Sequence, residues 1–185
     1  MLRIQKLVLH KFPHVAPGTF LEFSPGLKVL LGKNGTGKTA LLKLLSRVAA
    51  LDFADLHDEG NRLSFGQKRL FAFYWYLACI PEGVVLADEL ASGFHHSWIA
   101  PCLDQIGERQ AILAGQNPLL LDLLTFADAE QVRRSFVLCS LQDKPDGGRE
   151  CIWHNMTSAG AEAFFRTYKA GLQHVSEILR VGGWW

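Results

Sequence analysis

The stretch Leu27-Lys28-Val29-Leu30-Leu31-Gly32-Lys33-Asn34-Gly35-Thr36-Gly37-Lys38-Thr39 joins an apolar run to a loop rich in glycine. Its second half, residues 32–39, matches the pattern G-x-x-x-x-G-K-[ST] at every fixed position, and the leucines that follow have helical spacing. Glycines in this pattern let backbone N–H groups turn inward around an anion, and the positive end of the next helix faces the same point. The stretch therefore predicts a strand, a phosphate-binding loop and a helix.

Two side chains of this loop suit a triphosphate and its metal ion. Lys38 is expected to reach the β- and γ-phosphates, and the Thr39 hydroxyl is expected to hold Mg²⁺. Downstream, the apolar run 84–87 leads into Asp88 and Glu89, at the strand end where ligands bind in open α/β sheets. Asp88 is predicted to organise Mg²⁺ through its water shell, and Glu89 to polarise the attacking water as a general base.

A third motif, Leu63-Ser64-Phe65-Gly66-Gln67, precedes a run of helical spacing. It resembles the signature L-S-G-G-Q of the ABC ATPase superfamily, and the chain is most similar to the SMC, RecF and OLD-nuclease branch of AAA-domain ATPases. The resemblance implies that Ser64, Phe65, Gly66 and Gln67 of one subunit contact the γ-phosphate held by a second subunit. Phe65 stands where the family has its first glycine. We therefore expect a head-to-head homodimer that forms on ATP binding.

Strands alternate with helices along the chain, which predicts an α/β fold with a mostly parallel sheet flanked by helices. The resemblance makes this a three-layer P-loop NTPase fold of the ABC type, with a C-terminal β-hairpin and helix. The expected helices cover 39–50, 64–80, 94–106, 118–124 and 159–179, the last broken near Gly171. We expect a single domain over residues 1–185. Its parts are the strands and phosphate loop at 1–50, the signature, Walker B and switch region at 63–125, and the hairpin and helix at 132–181.

The chain departs from the family at two places. Gln116 stands where relatives present a histidine to the γ-phosphate, and it is expected to act there as a catalytic residue. A glutamine can donate a hydrogen bond but cannot gain charge, so slow hydrolysis is expected. Few residues separate Lys38 from Ser64, although the family inserts further strands, a glutamine-bearing loop and a helical or coiled-coil arm. The chain is naturally minimal, shortened, or completed by a partner, and the sequence leaves all three open.

Two functions fit these motifs. The first is ATP hydrolysis by a head-to-head dimer, and the alternative is an ATP-gated dimerisation or interaction module with negligible turnover. A small-molecule kinase has no use for the stretch 63–67. The resemblance also implies a nucleic-acid-related role in repair, chromosome maintenance or phage defence, with a nuclease or effector protein as partner. Direct contact with nucleic acid stays open.

The composition is that of an ordinary globular protein, with 185 residues, 49% hydrophobic and 20% charged, and a net charge of +1. Bulk charge therefore predicts binding neither to nucleic acid nor to a membrane. No apolar run reaches the roughly 20 residues that a membrane span needs, and the first residues lack the apolar region of a signal peptide. The scattered cysteines fit buried or half-buried free thiols in a cytoplasmic protein. They are Cys79, Cys102, Cys139 and Cys151.

Aromatic residues outside the motifs have mostly structural interpretations. Phe12 and His14, after the first strand, are candidates for stacking on adenine, with ordinary loop roles as an equal alternative. A set of apolar side chains along the second helix has helical spacing, which favours a place in the core. The set is Phe71, Tyr74, Trp75 and Ala78. The last residues, 182–185, are expected to fray.

Overall fold

The computed structural model describes residues 4–10, 12, 14–23, 25–48, 64–80 and 83–185. Leu63, which opens the signature motif, lies outside the described residues. The strands are β1 (Lys6–Leu9), β2 (Thr19–Glu22), β3 (Leu27–Leu31), β4 (Val85–Asp88), β5 (Ala111–Ala114), β6 (Phe136–Asp143) and β7 (Arg149–Asn155). The helices are α1 (Lys38–Val48), α2 (Phe65–Cys79), α3 (His96–Ile106), α4 (Pro118–Asp122), α5 (Ala129–Ser135), α6 (Ser158–Ala170) and α7 (Val175–Val181).

The main sheet has five strands in the order β4-β5-β3-β6-β7, and β1 pairs with β2 in a separate antiparallel ribbon. Strand β3 is parallel to both neighbours, β5 and β6, and β4 is parallel to β5. Among the described strands of this sheet, only the β6–β7 pair is antiparallel. The connection between them turns at Gly147, whose N–H donates to the Lys144 carbonyl oxygen at 3.0 Å. The predicted mostly parallel α/β sheet and its C-terminal hairpin are confirmed.

Alternate residues of the central strands pack into two different hydrophobic cores, as the period of two in a strand requires. In β3, Val29 and Leu31 belong to the core formed with α2 to α7, whereas Leu30 belongs to the core formed with α1 and the β1–β2 ribbon. Strand β6 divides in the same way, with Phe136 in the first core and Val137 in the second. Helices therefore cover both faces of the sheet, an arrangement compatible with three layers.

Helix α2 turns its aromatic side chains in a direction that differs from the prediction. Phe71 is 62% exposed and Trp75 is 55% exposed, and Tyr74 and Ala78 are exposed as well. The buried side of α2 carries Phe73 and Leu77 instead. The placement of 71, 74, 75 and 78 in the core was wrong, because a helix with apolar residues on two sides can pack with either side inward.

The C-terminal region differs from the prediction at two points. Helix α5 was not predicted, and it begins at an Asp128 cap whose side chain accepts a hydrogen bond from the Gln131 N–H at 2.7 Å. Residues 182–185 are not frayed. The Trp184 N–H donates to the Leu179 carbonyl oxygen at 2.9 Å, and the Trp184 ring packs against Phe164 with 6.3 Å between ring centroids. The predicted break at Gly171 is confirmed by its left-handed backbone between α6 and α7.

Two further expectations concern membranes and thiols. Within the described ranges, every helix is too short or too polar to cross a bilayer. All four cysteines are free thiols. Cys102 and Cys139 are buried and Cys151 is half-buried, as expected, but Cys79 is exposed near the end of α2. The expectation of burial was wrong for Cys79, because it lies on the outward side of that helix.

A lysine in β3 has a pKa that makes the stability of the fold depend on pH. Lys28 is 1% exposed. Burial, reinforced by the nearby Arg134 and Arg133, lowers the pKa of Lys28 to about 7, and Glu130 only partly opposes this shift. The unfolded chain has the ordinary pKa of 10.5 and so binds this proton more tightly between pH 7 and 10.5. Stability contributed by this group therefore increases as the pH rises above 7.

We expect the Lys28 contribution to raise the free energy of unfolding by about 2 kcal/mol between pH 7 and pH 9. Lys28→Met should remove this contribution, because methionine does not titrate. Urea unfolding at pH 7 and pH 9 gives, for each protein, the rise in the free energy of unfolding between the two pH values. The Lys28 contribution is the rise in the wild type minus the rise in the variant. Lys43→Met, on the exposed side of α1, is the control and should show the same rise in the free energy of unfolding as the wild type. An equal rise in the free energy of unfolding in all three proteins would contradict the prediction.

Candidate functional site

The carboxyl ends of three neighbouring parallel strands meet at one edge of the sheet. Strand β3 leads into the glycine-rich loop, residues 32–39, and β4 ends at Asp88. Strand β5 lies between them and leads into residues 115–117. Such an edge is where ligands bind in open α/β sheets. The topology thus brings together the three segments that the sequence singled out separately.

The glycine-rich loop is held in shape by the β6–β7 hairpin. Gly32 has a φ of +152°, and a Cβ built on it would lie 2.1 Å from the Cys139 carbonyl oxygen. A Cβ on Gly37, whose φ is +85°, would lie 2.9 Å from the Trp153 ring. The Trp153 Nε1–H donates to the Thr36 carbonyl oxygen at 3.0 Å. Only glycine fits these two positions, so the backbone can fold into a loop that wraps an anion.

Lys38 is a buried cation whose hydrogen-bond partners are uncharged. It is the first residue of α1 and is 7% exposed. Its ammonium donates to the carbonyl oxygens of Gly32 at 2.7 Å and Lys33 at 3.0 Å. Among the described residues, no carboxylate forms a salt bridge with it. Since a buried charge is costly without a counter-charge, this site favours an anionic ligand above the helix N-terminus.

Thr39 and Asp88 converge from two different elements. The Thr39 hydroxyl donates to the Asp88 Oδ2 atom at 2.5 Å. Hydroxyl and carboxylate oxygens are ligands that Mg²⁺ accepts, and Mg²⁺ usually needs few of them because it keeps water and binds phosphate. In the described part of the chain, His, Cys, Asp and Glu side chains form no cluster of three that could hold a metal ion alone. Thr39 and Asp88 therefore supply two oxygen atoms of the kind that Mg²⁺ binds.

Glu89 has a backbone conformation that is uncommon outside glycine, with a φ of +49°. Its N–H donates to the Ala114 carbonyl oxygen at 2.7 Å, which continues the β4–β5 pairing by one residue. A Cβ built on Gly115 would lie 3.8 Å from the Glu89 Oε2 atom, so the carboxylate reaches toward the end of β5. The turn thus directs the carboxylate along the sheet edge, toward the neighbouring loop.

Gln116 is tied to the glycine-rich loop. Its Nε2 atom donates to the Gly32 carbonyl oxygen at 2.9 Å, and that oxygen also accepts from Lys38. Gln116 and the loop are therefore brought together, as the sequence predicted. The amide has donors that can bind an anion, but it holds a loop carbonyl in this arrangement.

The N-terminus of α2 is built as a capping box. The Ser64 side chain accepts from the Gln67 N–H at 3.3 Å, and the Ser64 N–H donates to the Gln67 Oε1 atom at 2.8 Å. Phe65 is 63% exposed. Within the described residues, no hydrogen bond joins 64–67 to the glycine-rich loop, so these residues are not part of the same-chain cluster. They pack instead beside the turn at 90–93.

Close packing between α2 and this turn depends on Gly66. A Cβ on Gly66 would lie 2.0 Å from the Gly93 carbonyl oxygen, which is too close for any side chain. The Phe65 ring lies over Gly93 on the same side, since a Cβ on Gly93 would be 2.8 Å from the ring. The N-terminal end of α2 is therefore in direct contact with the turn.

Gly66→Ala is expected to lower the free energy of unfolding by about 1–3 kcal/mol, because the added methyl group must displace the backbone of residues 90–93. Urea denaturation would measure the loss. Gly83→Ala is the matched control, since the atoms nearest to its Cβ belong to the Ile80 side chain, at 3.3 Å or more, and not to the backbone. An unchanged midpoint for Gly66→Ala would mean that α2 and the turn are not in contact in solution.

Sequence reasoning did not identify Arg69 as part of this site. The Arg69 Nη2 atom donates to the carbonyl oxygens of Asp88 at 2.8 Å and Glu89 at 2.6 Å. Its guanidinium also lies over the Phe65 ring, 5.5 Å from the centroid. The only signal in the sequence is the spacing of four between Phe65 and Arg69, which places them on one side of a helix. Trp153 was likewise missed, since nothing in the sequence links it to Thr36.

The candidates for adenine binding lie near the loop. Phe12 is half-buried and packs against the core that contains α1, while His14 is exposed with a φ of +62°. The His14 carbonyl oxygen accepts from the Cys151 N–H at 2.7 Å. The Cys151 Sγ atom in turn lies beside Gly37, 3.0 Å from a Cβ built there. His14 and Val15 therefore lie beside Cys151, which separates them from the glycine-rich loop.

The two thiols beside the loop have raised pKa values. Burial raises the pKa of the Cys139 thiol to about 12, although the nearby Lys38 ammonium acts in the opposite direction. Burial and the neighbouring Glu150 carboxylate also raise the pKa of Cys151. Since the thiolate is the reactive form, both shifts disfavour a nucleophilic role for these cysteines.

Comparison of the chain with protein-family models and with curated proteins found no match. The chemistry of the site therefore rests on its geometry. A glycine-rich loop, a buried ammonium, a hydroxyl–carboxylate pair and a second carboxylate lie at one edge of a parallel sheet.

Proposed function

We propose that the chain is an ABC-type P-loop ATPase domain that binds MgATP and hydrolyses it as a head-to-head homodimer. The observation that carries this proposal is the buried Lys38 ammonium, whose partners within the described residues are carbonyl oxygens alone. It lies at the N-terminus of α1 beneath the glycine-rich loop, where phosphate groups bind favourably. A triphosphate would supply the negative charge that this position lacks.

The same edge of the sheet carries the residues that would bind a metal ion and activate water. Thr39 and Asp88 would hold Mg²⁺, which neutralises charge on the phosphates when bound. Glu89 is the group that would take a proton from the attacking water, because its carboxylate projects toward the end of β5. Gln116 would donate a hydrogen bond to the transferred phosphoryl group after releasing the Gly32 carbonyl oxygen.

A second copy of the chain would complete the site. Residues 64–67 stand at the start of α2 and form no hydrogen bond with the glycine-rich loop of their own chain, in the part that is described. Their helix N-terminus has the polarity that favours an anion, and Phe65 is exposed there. In the proposed dimer, Ser64, Gly66 and Gln67 of each subunit face the nucleotide bound to its twin.

A second candidate function is an ATP-gated dimerisation module with negligible turnover. The observation that favours it is the hydrogen bond from Gln116 to the Gly32 carbonyl oxygen. This bond must break before the amide can bind phosphate, and a glutamine cannot become charged as a histidine can. The intact Glu89 favours hydrolysis over this candidate.

The biological setting is proposed from the family resemblance alone. Relatives of this type couple ATP to nucleic-acid transactions, so the domain would work in the cytoplasm in repair, chromosome maintenance or phage defence. A nuclease or effector protein would be its partner.

Three measurements on the wild-type chain test the proposal together. They are ATP affinity, phosphate release with and without EDTA, and size-exclusion chromatography with and without ATP. Hydrolysis predicts metal-dependent phosphate release and a dimer that depends on ATP. Binding and dimerisation with phosphate release at background would favour the second candidate. Absence of ATP binding would overturn both.

A further inference from the structure

We propose that Arg69 is a positioning residue for Glu89, an inference that rests on the proposed hydrolytic function. Its guanidinium holds the backbone at Asp88 and Glu89, and thereby aims the carboxylate that activates water. Arg69 does not reach the reacting atoms itself. It acts through the backbone to which the two acids are attached.

The contacts of Arg69 are specific to this turn. One nitrogen, Nη2, donates to two successive carbonyl oxygens, those of Asp88 at 2.8 Å and Glu89 at 2.6 Å. Hydrogen bonds from a charged donor are stronger than those between neutral groups. Arg69 is half-buried, so these bonds are partly shielded from water. They therefore restrain the two peptide groups that flank the Glu89 Cα atom.

The turn needs such a restraint because its backbone is strained. The φ of Glu89 is +49°, a region that costs free energy for a residue with a side chain. Such a conformation persists only where the surroundings enforce it. Here the enforcing bonds are the Glu89 N–H to Ala114 at 2.7 Å, the Ser92 N–H to Glu89 at 2.9 Å, and the two from Arg69. Among these hydrogen bonds, the two from Arg69 have a charged donor.

Arg69 also connects Glu89 to the end of α2 that would face a second subunit. Its guanidinium lies over the ring of Phe65, with 5.5 Å between the guanidinium carbon and the ring centroid. Phe65 is 63% exposed and lies against Gly93 in the turn that follows Glu89. A second subunit that contacts Phe65 would therefore also act on Arg69 and, through Arg69, on the turn that begins at Glu89.

The test compares Arg69→Ala, Arg69→Lys and Arg109→Ala in the full chain. Arg109 is the matched control, since its Nη1 atom also donates to two backbone carbonyl oxygens, of Gln105 at 2.9 Å and Ile106 at 3.0 Å. That site is at the end of α3, outside the proposed catalytic machinery. For each protein, ATP affinity, kcat for phosphate release, and hydrogen–deuterium exchange of residues 86–93 are measured. Arg69→Ala is also combined with Glu89→Gln.

Arg69→Ala is expected to lower kcat by about 10- to 100-fold, as misplacement of a catalytic group does. ATP affinity should stay within about threefold, because Arg69 does not touch the glycine-rich loop. Exchange at 86–93 should increase, and Arg69→Lys should recover part of kcat. In the Glu89→Gln background, Arg69→Ala should lower kcat no further, because the group that it positions is already absent. Arg109→Ala should keep the wild-type values.

Two results would overturn the assignment of Arg69 while leaving the proposed function intact. One is an unchanged kcat in Arg69→Ala, and the other is an equal, additional loss of kcat when Arg69→Ala is added to Glu89→Gln. A wild type that binds ATP without turnover would also overturn it, since no hydrolytic step would exist. Failure of the wild type to bind ATP would instead identify the proposed function as the error.

Discussion

Lys38→Ala is expected to weaken ATP binding by about 100-fold or more, with little loss of thermal stability. The loss of affinity follows from removing a charged donor from a buried phosphate site, an interaction worth on the order of 3 kcal/mol. Stability should change little because the ammonium is costly to bury in the absence of ligand. The Gly32 carbonyl oxygen also keeps its bond from Gln116. Isothermal titration with ATP and thermal unfolding would measure the two effects.

Lys43→Ala is the control for this variant, because Lys43 lies on the same helix with an exposed side chain. It should bind ATP as the wild type does. If Lys38→Ala bound ATP with wild-type affinity while remaining folded, the glycine-rich loop would not be a phosphate site. A loss of affinity without a matching loss of stability would separate a lost site from a lost fold.

Glu89→Gln is expected to lower kcat for phosphate release by about 10²- to 10⁴-fold, the usual contribution of a positioned general base. Glutamine keeps the size of the side chain but cannot take a proton from water. ATP affinity should be retained, so the ATP-bound dimer should accumulate on size-exclusion chromatography. Two measurements check this prediction. Single-turnover phosphate release gives the rate, and the elution volume in the presence of ATP gives the oligomeric state.

Glu108→Gln, at an exposed position after α3, is the matched control and should leave kcat unchanged. A Glu89→Gln protein that released phosphate at the wild-type rate would remove Glu89 from the mechanism. A wild type and variant that both dimerise with ATP and release no phosphate would favour the ATP-gated module.

The segment from β3 to α1 could be predicted from sequence because its signals are local. An apolar run, glycines at fixed spacing and leucines of helical period all lie within one continuous stretch. Helix α5 was missed for the converse reason. It has seven residues with only Val132 buried, and a single apolar residue has no period. For α2, the period was correct but its direction was not, since Phe73 and Leu77 compete with Phe71 and Trp75 for the inner side.

The site was predictable where residues stand at the ends of strands, and not where contacts cross the fold. Asp88 follows an apolar strand, so its place beside the glycine-rich loop could be inferred from the parallel sheet. The bond from Trp153 to Thr36 joins residues 117 positions apart in the chain. Arg69 reaches Glu89 because the fold places α2 beside the start of β4, where the Tyr76 hydroxyl donates to the Val84 carbonyl oxygen at 3.3 Å. No local pattern encodes such contacts.

The alternation of β3 between two cores has a consequence for cooperativity. Val29 and Leu31 anchor one layer and Leu30 the other, and the next residue along the chain is Gly32. Neither hydrophobic core can unfold without disrupting the same five-residue strand, and with it the start of the glycine-rich loop. A ligand held by that loop would therefore stabilise the whole chain by mass action rather than one lobe of it. Occupancy and global folding would share a single transition, and a melting curve would report on both.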